Sequence, residues 1–137
     1  MSILLVDDSD VDIKVAQLML KKLGHKVDLA RNGIEAIDAL EKCSYSMVFM
    51  DIQMPMMNGI EATKAIRQKC HPCPIIIFSS SLSEFQNMYD HFGGDDFIAK
   101  PLRIDVLRHS LQYYEDSIIN LLASLEMNMK CHAIAEF

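Results

Sequence analysis

Short apolar runs alternate along the chain with segments in which apolar residues recur at helical spacing. Five of the runs are rich in branched residues and are bounded by turn residues, which is typical of strands. They cover Ile3 to Val6, Lys26 to Leu29, Ser46 to Met50, Ile75 to Phe78 and Asp96 to Ala99. Strands that alternate with helices form parallel sheets, so the pattern predicts an α/β fold with helices on both faces of one sheet.

Helices are predicted between these strands. The first has Ser9 or Asp10 as its N-cap and Gly24 as its C-cap, both of them residue types that favour those positions. Its apolar stripe consists of Val11, Val15, Leu18, Met19 and Leu23. Three further helices are predicted over residues 34–40, 60–66 and 85–92, and a fifth after Pro101.

The strands differ in how far they are apolar. The first, third and fourth are apolar throughout, which predicts burial on both faces at the centre of a sheet. The second alternates Val27 and Leu29 with charged neighbours, which predicts an edge strand.

The C-terminal segment extends further than a small domain requires. From Leu102 to Phe137 there is no Gly or Pro, and apolar residues recur at alternating spacings of three and four: Ile104, Leu107, Leu111, Tyr114, Ile118, Leu121 and Leu125. A helix over residues 103–128 would be about 39 Å long. We therefore predict a domain of residues 1–112 and a helical extension of residues 113–137. The extension either continues the last helix or forms an additional one, and it folds back, frays, pairs in a dimer or connects to a following module.

Length and composition bound the function. The chain has 137 residues, of which 50% are hydrophobic and 23% charged, as expected of one compact domain. Its longest apolar runs are four residues, whereas a membrane span needs about 20. With no basic start and apolar region of a signal peptide, we expect a cytoplasmic protein without a membrane partner. The net charge of -6 argues against direct binding to nucleic acid.

The four cysteines are too few and too scattered for a disulfide scaffold, so we interpret them as reduced thiols. Cys70 and Cys73 have the C-x-x-C spacing of a redox pair or of half a zinc site. No second pair lies nearby in the sequence. This motif also enters the fourth strand at its amino end, so we do not favour a functional site there.

Polar residues follow the predicted strands at the carboxyl ends, where parallel sheets bind ligands. Asp7 and Asp8 follow the first strand, Asp51 the third, Ser79 the fourth and Lys100 the fifth. Crowded carboxylates repel one another unless a cation is present, and oxygen ligands suit Mg²⁺. A carboxylate in such a cluster can attack a phosphoryl group, while the cation and Lys100 offset the charge on the phosphoryl oxygens.

The sequence around these residues resembles the receiver domain of two-component response regulators, including the receivers of hybrid histidine kinases. The match covers about residues 2 to 112 and is carried by the segments 4–8, 50–59, 74–79 and 93–101, in which LLVDD, MDIQMPMMNG, PIIIFS and GGDDFIAKP occur in order. The resemblance implies a flavodoxin-like three-layer α/β/α sandwich. Its five-stranded parallel sheet would have the order 2-1-3-4-5.

The resemblance also implies a role for each site residue. Asp51 would be the phosphoacceptor, Asp8 a direct ligand of Mg²⁺, and Asp7 a ligand acting largely through water. The backbone carbonyl of Gln53 would complete the protein ligands, and Mn²⁺ would substitute for Mg²⁺. Lys100 would contact the phosphoryl group and precede a cis peptide bond to Pro101.

A switch follows from the same resemblance. Ser79 stands in place of the switch hydroxyl and Phe97 in place of the rotating aromatic residue, although the neighbouring Ser80 leaves an alternative register. Phosphorylation would change the face formed by the helix of residues 85–92, the last strand and the helix after Pro101. Gln53 and Ser81 occupy positions that tune the phosphoryl lifetime. The phosphoryl donor would be a histidine kinase or a histidine phosphotransfer protein.

Such a domain catalyses only its own phosphorylation and slow dephosphorylation, so we do not expect an enzyme with an external substrate. Met54, Met56 and Met57 flank the phosphoacceptor loop and are candidates for an apolar docking rim. A second hypothesis is an interaction or dimerisation module that uses the C-terminal helix without phosphorylation. The complete set of acids and lysine argues against it.

The spacing Asp8-x-Asp10-x-Asp12 suggests two other sites, which we reject. A calcium loop needs Gly where Ile13 stands and a bidentate Glu where Met19 stands. The nucleophile motif of haloacid-dehalogenase-like phosphatases is DxDx(T/V), but its fifth position here holds Asp12. The chain also has no second domain to enclose a substrate.

Overall fold

A computed structural model of the chain describes residues 1–69, 71–80 and 93–135, with side chains as far as residue 127. The predicted helix over 85–92, the predicted lifetime residue Ser81 and Cys70 lie outside the described residues. The chain divides into two compact units, Met1–Arg103 and Ile104–Phe137. No helix among the described residues is long and apolar enough to cross a bilayer.

Strands and helices alternate through the first unit, as the apolar pattern predicts. The strands are β1 (Ser2–Val6), β2 (Lys26–Ala30), β3 (Met47–Asp51), β4 (Ile75–Ser79) and β5 (Asp96–Ala99). The described helices are α1 (Asp10–Lys22), α2 (Gly33–Lys42), α3 (Gly59–Gln68) and, in the second unit, α4 (Ile104–Ala135).

The five strands form one parallel sheet in the order β2-β1-β3-β4-β5, which confirms the predicted topology. Strands β3 and β4 are buried along their whole length, and β1 is buried from Ile3 onward. Strand β2 lies at the edge, with only Ala30 buried. Central strands have both faces covered by helices, and this explains the uninterrupted apolar runs of β1, β3 and β4.

Polar side chains fix where the first three helices begin. Ser9, rather than Asp10, is the N-cap of α1, and its hydroxyl accepts the Asp12 N–H. Asn32 and Asn58 cap α2 and α3 in the same way, each through its side-chain oxygen. At the end of α1, Gly24 follows the cap residue with φ of +90°, a conformation that glycine adopts without strain.

Arg67 joins the amino ends of the last two strands, opposite the predicted site. Its guanidinium donates hydrogen bonds to the carbonyls of Gly93, His71 and Cys73 at 3.0, 2.7 and 2.8 Å, and to the Asp95 carboxylate at 2.6 Å. These bonds join the loops that enter β4 and β5, and they satisfy the part-buried carbonyls of His71 and Cys73.

The second unit contains one continuous helix of 32 residues, α4, about 48 Å long at 1.5 Å per residue. Of the two alternatives for the extension, the structure has the continuation of the helix that begins after Pro101. Leu107, Ser110 and Leu111 are buried. Every residue from 112 to 127 is half-buried or exposed, so the apolar stripe of this segment is largely open to solvent.

Candidate functional site

The carboxyl ends of the sheet bring the predicted site residues together. Strand β1 leads directly into Asp7, β3 ends at Asp51, β4 ends at Ser79, and β5 leads into Lys100. The register places Asp51 opposite Phe78, one residue before Ser79. Since all five strands are parallel, these residues share one edge of the sheet.

Three carboxylates form a cluster at this edge. Asp7 is fully buried, Asp51 is 5% exposed and Asp8 is exposed. One oxygen from each lies within 4.8 Å of the others. The Ser9 N–H donates to the Asp7 carboxylate at 3.1 Å and fixes its orientation. An all-oxygen set with one exposed member fits a hard divalent cation that keeps several waters, as Mg²⁺ does.

Lys100 lies beside this cluster, with its side chain 13% exposed. Its Nζ is 3.1 Å from Asp7 Oδ2 and 3.5 Å from Asp51 Oδ1. It also lies 4.9 Å from the centre of the Phe78 ring. Burial by itself lowers the pKa of Lys100, but the hydrogen bond with Asp12 and the charges of Asp51 and Asp7 outweigh it and raise the pKa. The ammonium is therefore charged throughout the physiological range.

The electrostatics of Asp51 differ from those of a surface carboxylate. Burial and then the negative charge of Asp7 raise the pKa of Asp51 to about 7, although Lys100 lowers it. An additional cation next to Asp51 would favour the ionised, nucleophilic form. The carboxylates of Asp51 and Asp7 thus repel each other, and a bound cation would reduce this repulsion.

A tight loop connects Asp51 to α3. The Gly59 N–H donates to the Ile52 carbonyl at 2.8 Å, and a Cβ at residue 59 would overlap the Asp51 carbonyl oxygen. Met56 has φ of +67°. Gln53 is exposed, and its neighbourhood is an open cavity lined by Asp8, Ile52, Gln53, Met54, Pro55 and Asn58. The cavity thus adjoins the carboxylate cluster through Asp8.

The predicted switch residues lie on β4 and β5, the last two strands of the sheet. Ser79 is 1% exposed whereas Ser80 is exposed in a turn. Phe97, half-buried, lies opposite Ile77 in the sheet and packs against the core. The Lys100–Pro101 peptide bond is cis. The Lys100 N–H donates to the Ser79 carbonyl at 3.0 Å. This backbone hydrogen bond links the carboxyl ends of β4 and β5.

Asp12 lies at the site although sequence reasoning gave it no role there. Its Oδ2 is 2.9 Å from Lys100 Nζ, the shortest of the contacts that Lys100 makes with carboxylates in the described part of the chain. The available signal was helical spacing. Asp12 precedes buried Ile13 and lies four residues before buried Ala16, so it falls at the border of the face of α1 that covers the sheet.

Cys73, the described cysteine of the C-x-x-C motif, does not join the site. Cys73 is buried, and its thiol donates to the Tyr45 carbonyl at 3.3 Å. Burial raises the pKa of the Cys73 thiol to about 11, which leaves it protonated and unreactive at neutral pH.

Comparisons with known proteins agree with this geometry. Residues 3–112 match the sequence model of the response regulator receiver domain. Histidine kinase 5 of Arabidopsis thaliana is 36% identical over 141 residues, which cover 82% of this chain and 15% of the kinase. Hybrid signal transduction histidine kinase F of Dictyostelium discoideum is 36% identical over 119 residues, with 82% and 11% covered. The chain thus spans a small part of these relatives.

Solved structures show the same fold. The receiver domain of sensor histidine kinase PA1611 from Pseudomonas aeruginosa, which has a magnesium ion coordinated in its active site cleft, gives a TM-score of 0.77 at 32% identity, with 82% of this chain and 95% of that chain covered. Response regulator TrrA from Thermotoga maritima, in complex with Mg²⁺-BeF, gives 0.76 at 27% identity, with 82% and 97% covered. The chain belongs to the response regulator receiver domain family, and it is a phosphoacceptor signalling domain of two-component systems.

Proposed function

We propose that Asp51 accepts a phosphoryl group from a phosphohistidine, supplied by a histidine kinase or a histidine phosphotransfer protein. The observation that carries this proposal is the position of Asp51. Its carboxylate is nearly buried, lies within 3.5 Å of the Lys100 ammonium and shares a cluster with two further carboxylates. Asp7 has the same two neighbours, but it is fully buried, whereas Asp51 keeps 5% of its surface exposed.

The residues divide the chemistry between them. An Asp51 oxygen attacks phosphorus, the bond from phosphorus to the histidine nitrogen breaks, and the nitrogen keeps the electron pair. Lys100 offsets the charge on the phosphoryl oxygens. Asp7, Asp8, Asp51 and the Gln53 carbonyl would hold Mg²⁺, with Mn²⁺ as a substitute. The bound cation would supply charge neutralisation at the same oxygens.

The proposal includes the switch. Ser79 would move its hydroxyl toward the new phosphoryl oxygens, and Phe97 would turn into the space that it leaves. Burial of Ser79 at the end of β4 and half-burial of Phe97 on β5 support this, because both side chains have packed neighbours that such a movement would change. The third element of the proposed output face, residues 85–92, lies outside the described residues. Apart from slow hydrolysis of its own aspartyl phosphate, the domain would turn over no substrate.

An exposed apolar stripe on α1, beside the site, supports a protein as the phosphoryl donor. Val11, Val15 and Leu18 project from α1 with exposed fractions of 72%, 40% and 65%. Of the predicted methionine rim, Met56 is 78% exposed, whereas Met54 and Met57 are partly buried against the core. Such apolar groups at the entrance favour a protein as the donor.

The phosphoacceptor is tested by intact mass spectrometry after incubation with acetyl phosphate and Mg²⁺. The wild-type protein is expected to gain about 80 Da, the mass of one phosphoryl group. Asp51→Asn is expected to gain none, because an amide is a poor nucleophile. Asp38→Asn, an exposed substitution in α2, serves as the matched control and should gain mass as the wild type does. A gain that persists in Asp51→Asn would contradict the proposal.

The exposed stripe of α4 favours a second function, self-association through this helix. Leu121 and Leu125 are 62% and 50% exposed, and with Tyr114 and Ile118 they follow the spacing of a coiled-coil seam. No charged residue occupies these four positions. A parallel pair of α4 helices would bury the stripe without bringing like charges together on it.

Light scattering tests this pairing. We expect the wild-type protein to have twice the 15.6 kDa mass of one chain, and Leu121→Glu/Leu125→Glu to be monomeric because the carboxylates cannot be buried in the seam. Asn120→Glu/Ala123→Glu adds the same charge away from the seam and should remain dimeric. A monomeric wild type at concentrations near 100 µM, or a double variant of the seam that stays dimeric, would exclude the pairing.

A further inference from the structure

The shortest contact that Lys100 makes with a carboxylate is to a residue outside the acidic cluster. Its Nζ lies 2.9 Å from Asp12 Oδ2, compared with 3.1 Å from Asp7 and 3.5 Å from Asp51. The carboxylates that group closely enough to share a cation are Asp7, Asp8 and Asp51. Asp12 therefore faces the lysine and not the proposed metal position.

Helix α1 fixes Asp12 at the entrance of the site. Asp12 is the third residue after the N-cap, and its N–H donates to the Ser9 hydroxyl at 3.4 Å. Its side chain is 43% exposed, whereas that of Lys100 is 13% exposed. A small cavity adjoins this ion pair and is lined by Asp12, Val15, Phe78, Lys100, Pro101 and Leu102. The pair thus lies between the solvent and the cluster.

The lysine has fewer donors than the phosphorylated site would require. An ammonium has three N–H groups, and three carboxylates already surround them. A phosphoryl group on Asp51 must take over at least one. The contact to fully buried Asp7 is costly to give up because that carboxylate would lose the ammonium that pairs with it. Asp12 is half-exposed, so water can replace the lysine there.

We propose that Asp12 is a positioning residue that holds Lys100 at the entrance of the site and competes with the incoming phosphoryl group for its ammonium. This rests on the proposed phosphorylation of Asp51. Asp12 consequently slows phosphorylation. During transfer, the phosphoryl group replaces Asp12 as a partner of the Lys100 ammonium.

The test compares initial rates of phosphorylation by acetyl phosphate in excess Mg²⁺. The chain has no Trp, so the rates are followed by intact mass. Asp12→Asn retains the shape of the side chain and frees the Lys100 ammonium from a close but half-exposed ion pair. We expect it to raise the rate at low donor concentration about five- to tenfold. Asp12→Glu, which restores the charge, is expected to return the rate toward that of the wild type.

Asp10→Asn is the matched control. Asp10 lies in the same first turn of α1, but it pairs with Arg31 at 2.7 Å instead of Lys100. Its substitution removes the same formal charge and should change the rate less than twofold. An equal acceleration in Asp10→Asn, or an unchanged or slower rate in Asp12→Asn, would overturn the positioning role.

Two further measurements separate positioning from other roles. In a Lys100→Ala background, Asp12→Asn should give no acceleration, since the contact at issue is already gone. Calorimetry should find similar Mg²⁺ affinity in Asp12→Asn and wild type; a large loss would make Asp12 part of the metal site and overturn the proposal. A wild-type protein that gains no mass contradicts the phosphoacceptor proposal itself, which distinguishes the two failures.

Discussion

Replacement of Gly59 by Ala is expected to lower the free energy of unfolding by about 3 to 5 kcal/mol, the range of severe steric substitutions in a protein interior. A Cβ at residue 59 would overlap the carbonyl oxygen of Asp51 and lie 2.9 Å from its carbonyl carbon. Both obstacles are backbone atoms of the buried strand β3, so no side chain can turn away. Relief requires β3 and α3 to separate and would break the hydrogen bond from the Gly59 N–H to Ile52.

The same separation would displace the Asp51 carboxylate from Lys100. Gly59→Ala is therefore expected to lose at least about tenfold in the rate of phosphorylation even where it is folded, since small misplacements of reacting groups carry costs of this size. Urea denaturation measures the stability, and intact mass measures the rate.

Gly24→Ala is the control for this substitution. Gly24 has φ of +90°, but no atom lies within 4 Å of the point that a Cβ would occupy there, so alanine costs only the backbone strain, about 1 to 2 kcal/mol. Its phosphorylation rate should equal that of the wild type. Equal unfolding midpoints for the two alanine variants would show that the loop after Asp51 can open, contrary to our expectation.

The order of the elements was predictable because helices and strands space their apolar residues differently. A helix buries one face and repeats apolar residues every three or four positions, whereas a central strand is apolar throughout. Runs of four apolar residues identified β1, β3 and β4, whose two faces are both covered. The ends were less predictable, because pairing rather than hydrophobicity sets them. Strand β3 continues to Asp51, beyond the predicted Met50, since Asp51 still pairs with Phe78 on β4.

The residues on strand ends could be located from the sequence because all parallel strands finish at one edge. Asp12 could not, since its position depends on the rotation of α1, which buried Ile13 and Ala16 fix against the sheet. The Arg67 contacts were equally inaccessible. Three of its partners are backbone carbonyls of loops. Every residue has such a carbonyl, so the sequence does not indicate which ones accept a hydrogen bond.

The C-terminal helix shows what a pattern of period 3.5 can specify. The absence of Gly and Pro predicted a helical extension over residues 113–137, and α4 continues to Ala135. Helical spacing indicates which residues share a face, but not what covers that face. The proposed boundary between residues 112 and 113 falls within this continuous helix and stays a prediction.

Ionised Asp51 is expected to destabilise the metal-free protein above neutral pH. Burial and the charge of Asp7 raise the pKa of Asp51 from 3.8 to about 7 in the folded state. Between these values the folded protein holds a proton that the unfolded chain has released. The free energy of unfolding therefore falls as the pH rises through this window, and the full cost is present above it.

Asp51→Asn removes this cost because its side chain is neutral at every pH. In EDTA at about pH 8, we expect the variant to exceed the wild type in free energy of unfolding by about 2 to 4 kcal/mol, since each pKa unit corresponds to about 1.4 kcal/mol. The difference should shrink toward zero near pH 4, where the folded wild type is also protonated. Urea denaturation across this range measures it.

Magnesium should narrow the stability difference between the two proteins. A cation bound at the cluster stabilises ionised Asp51, so excess Mg²⁺ is expected to stabilise the wild type more than Asp51→Asn at about pH 8. Asp38→Asn is the control: Asp38 is exposed and pairs with Lys42 four residues later, so its loss should change stability by less than about 0.5 kcal/mol at any pH. A stabilisation by Asp51→Asn that did not vary with pH would mean that packing, and not ionisation, sets the cost of Asp51, and the electrostatic account of its nucleophilicity would then fail.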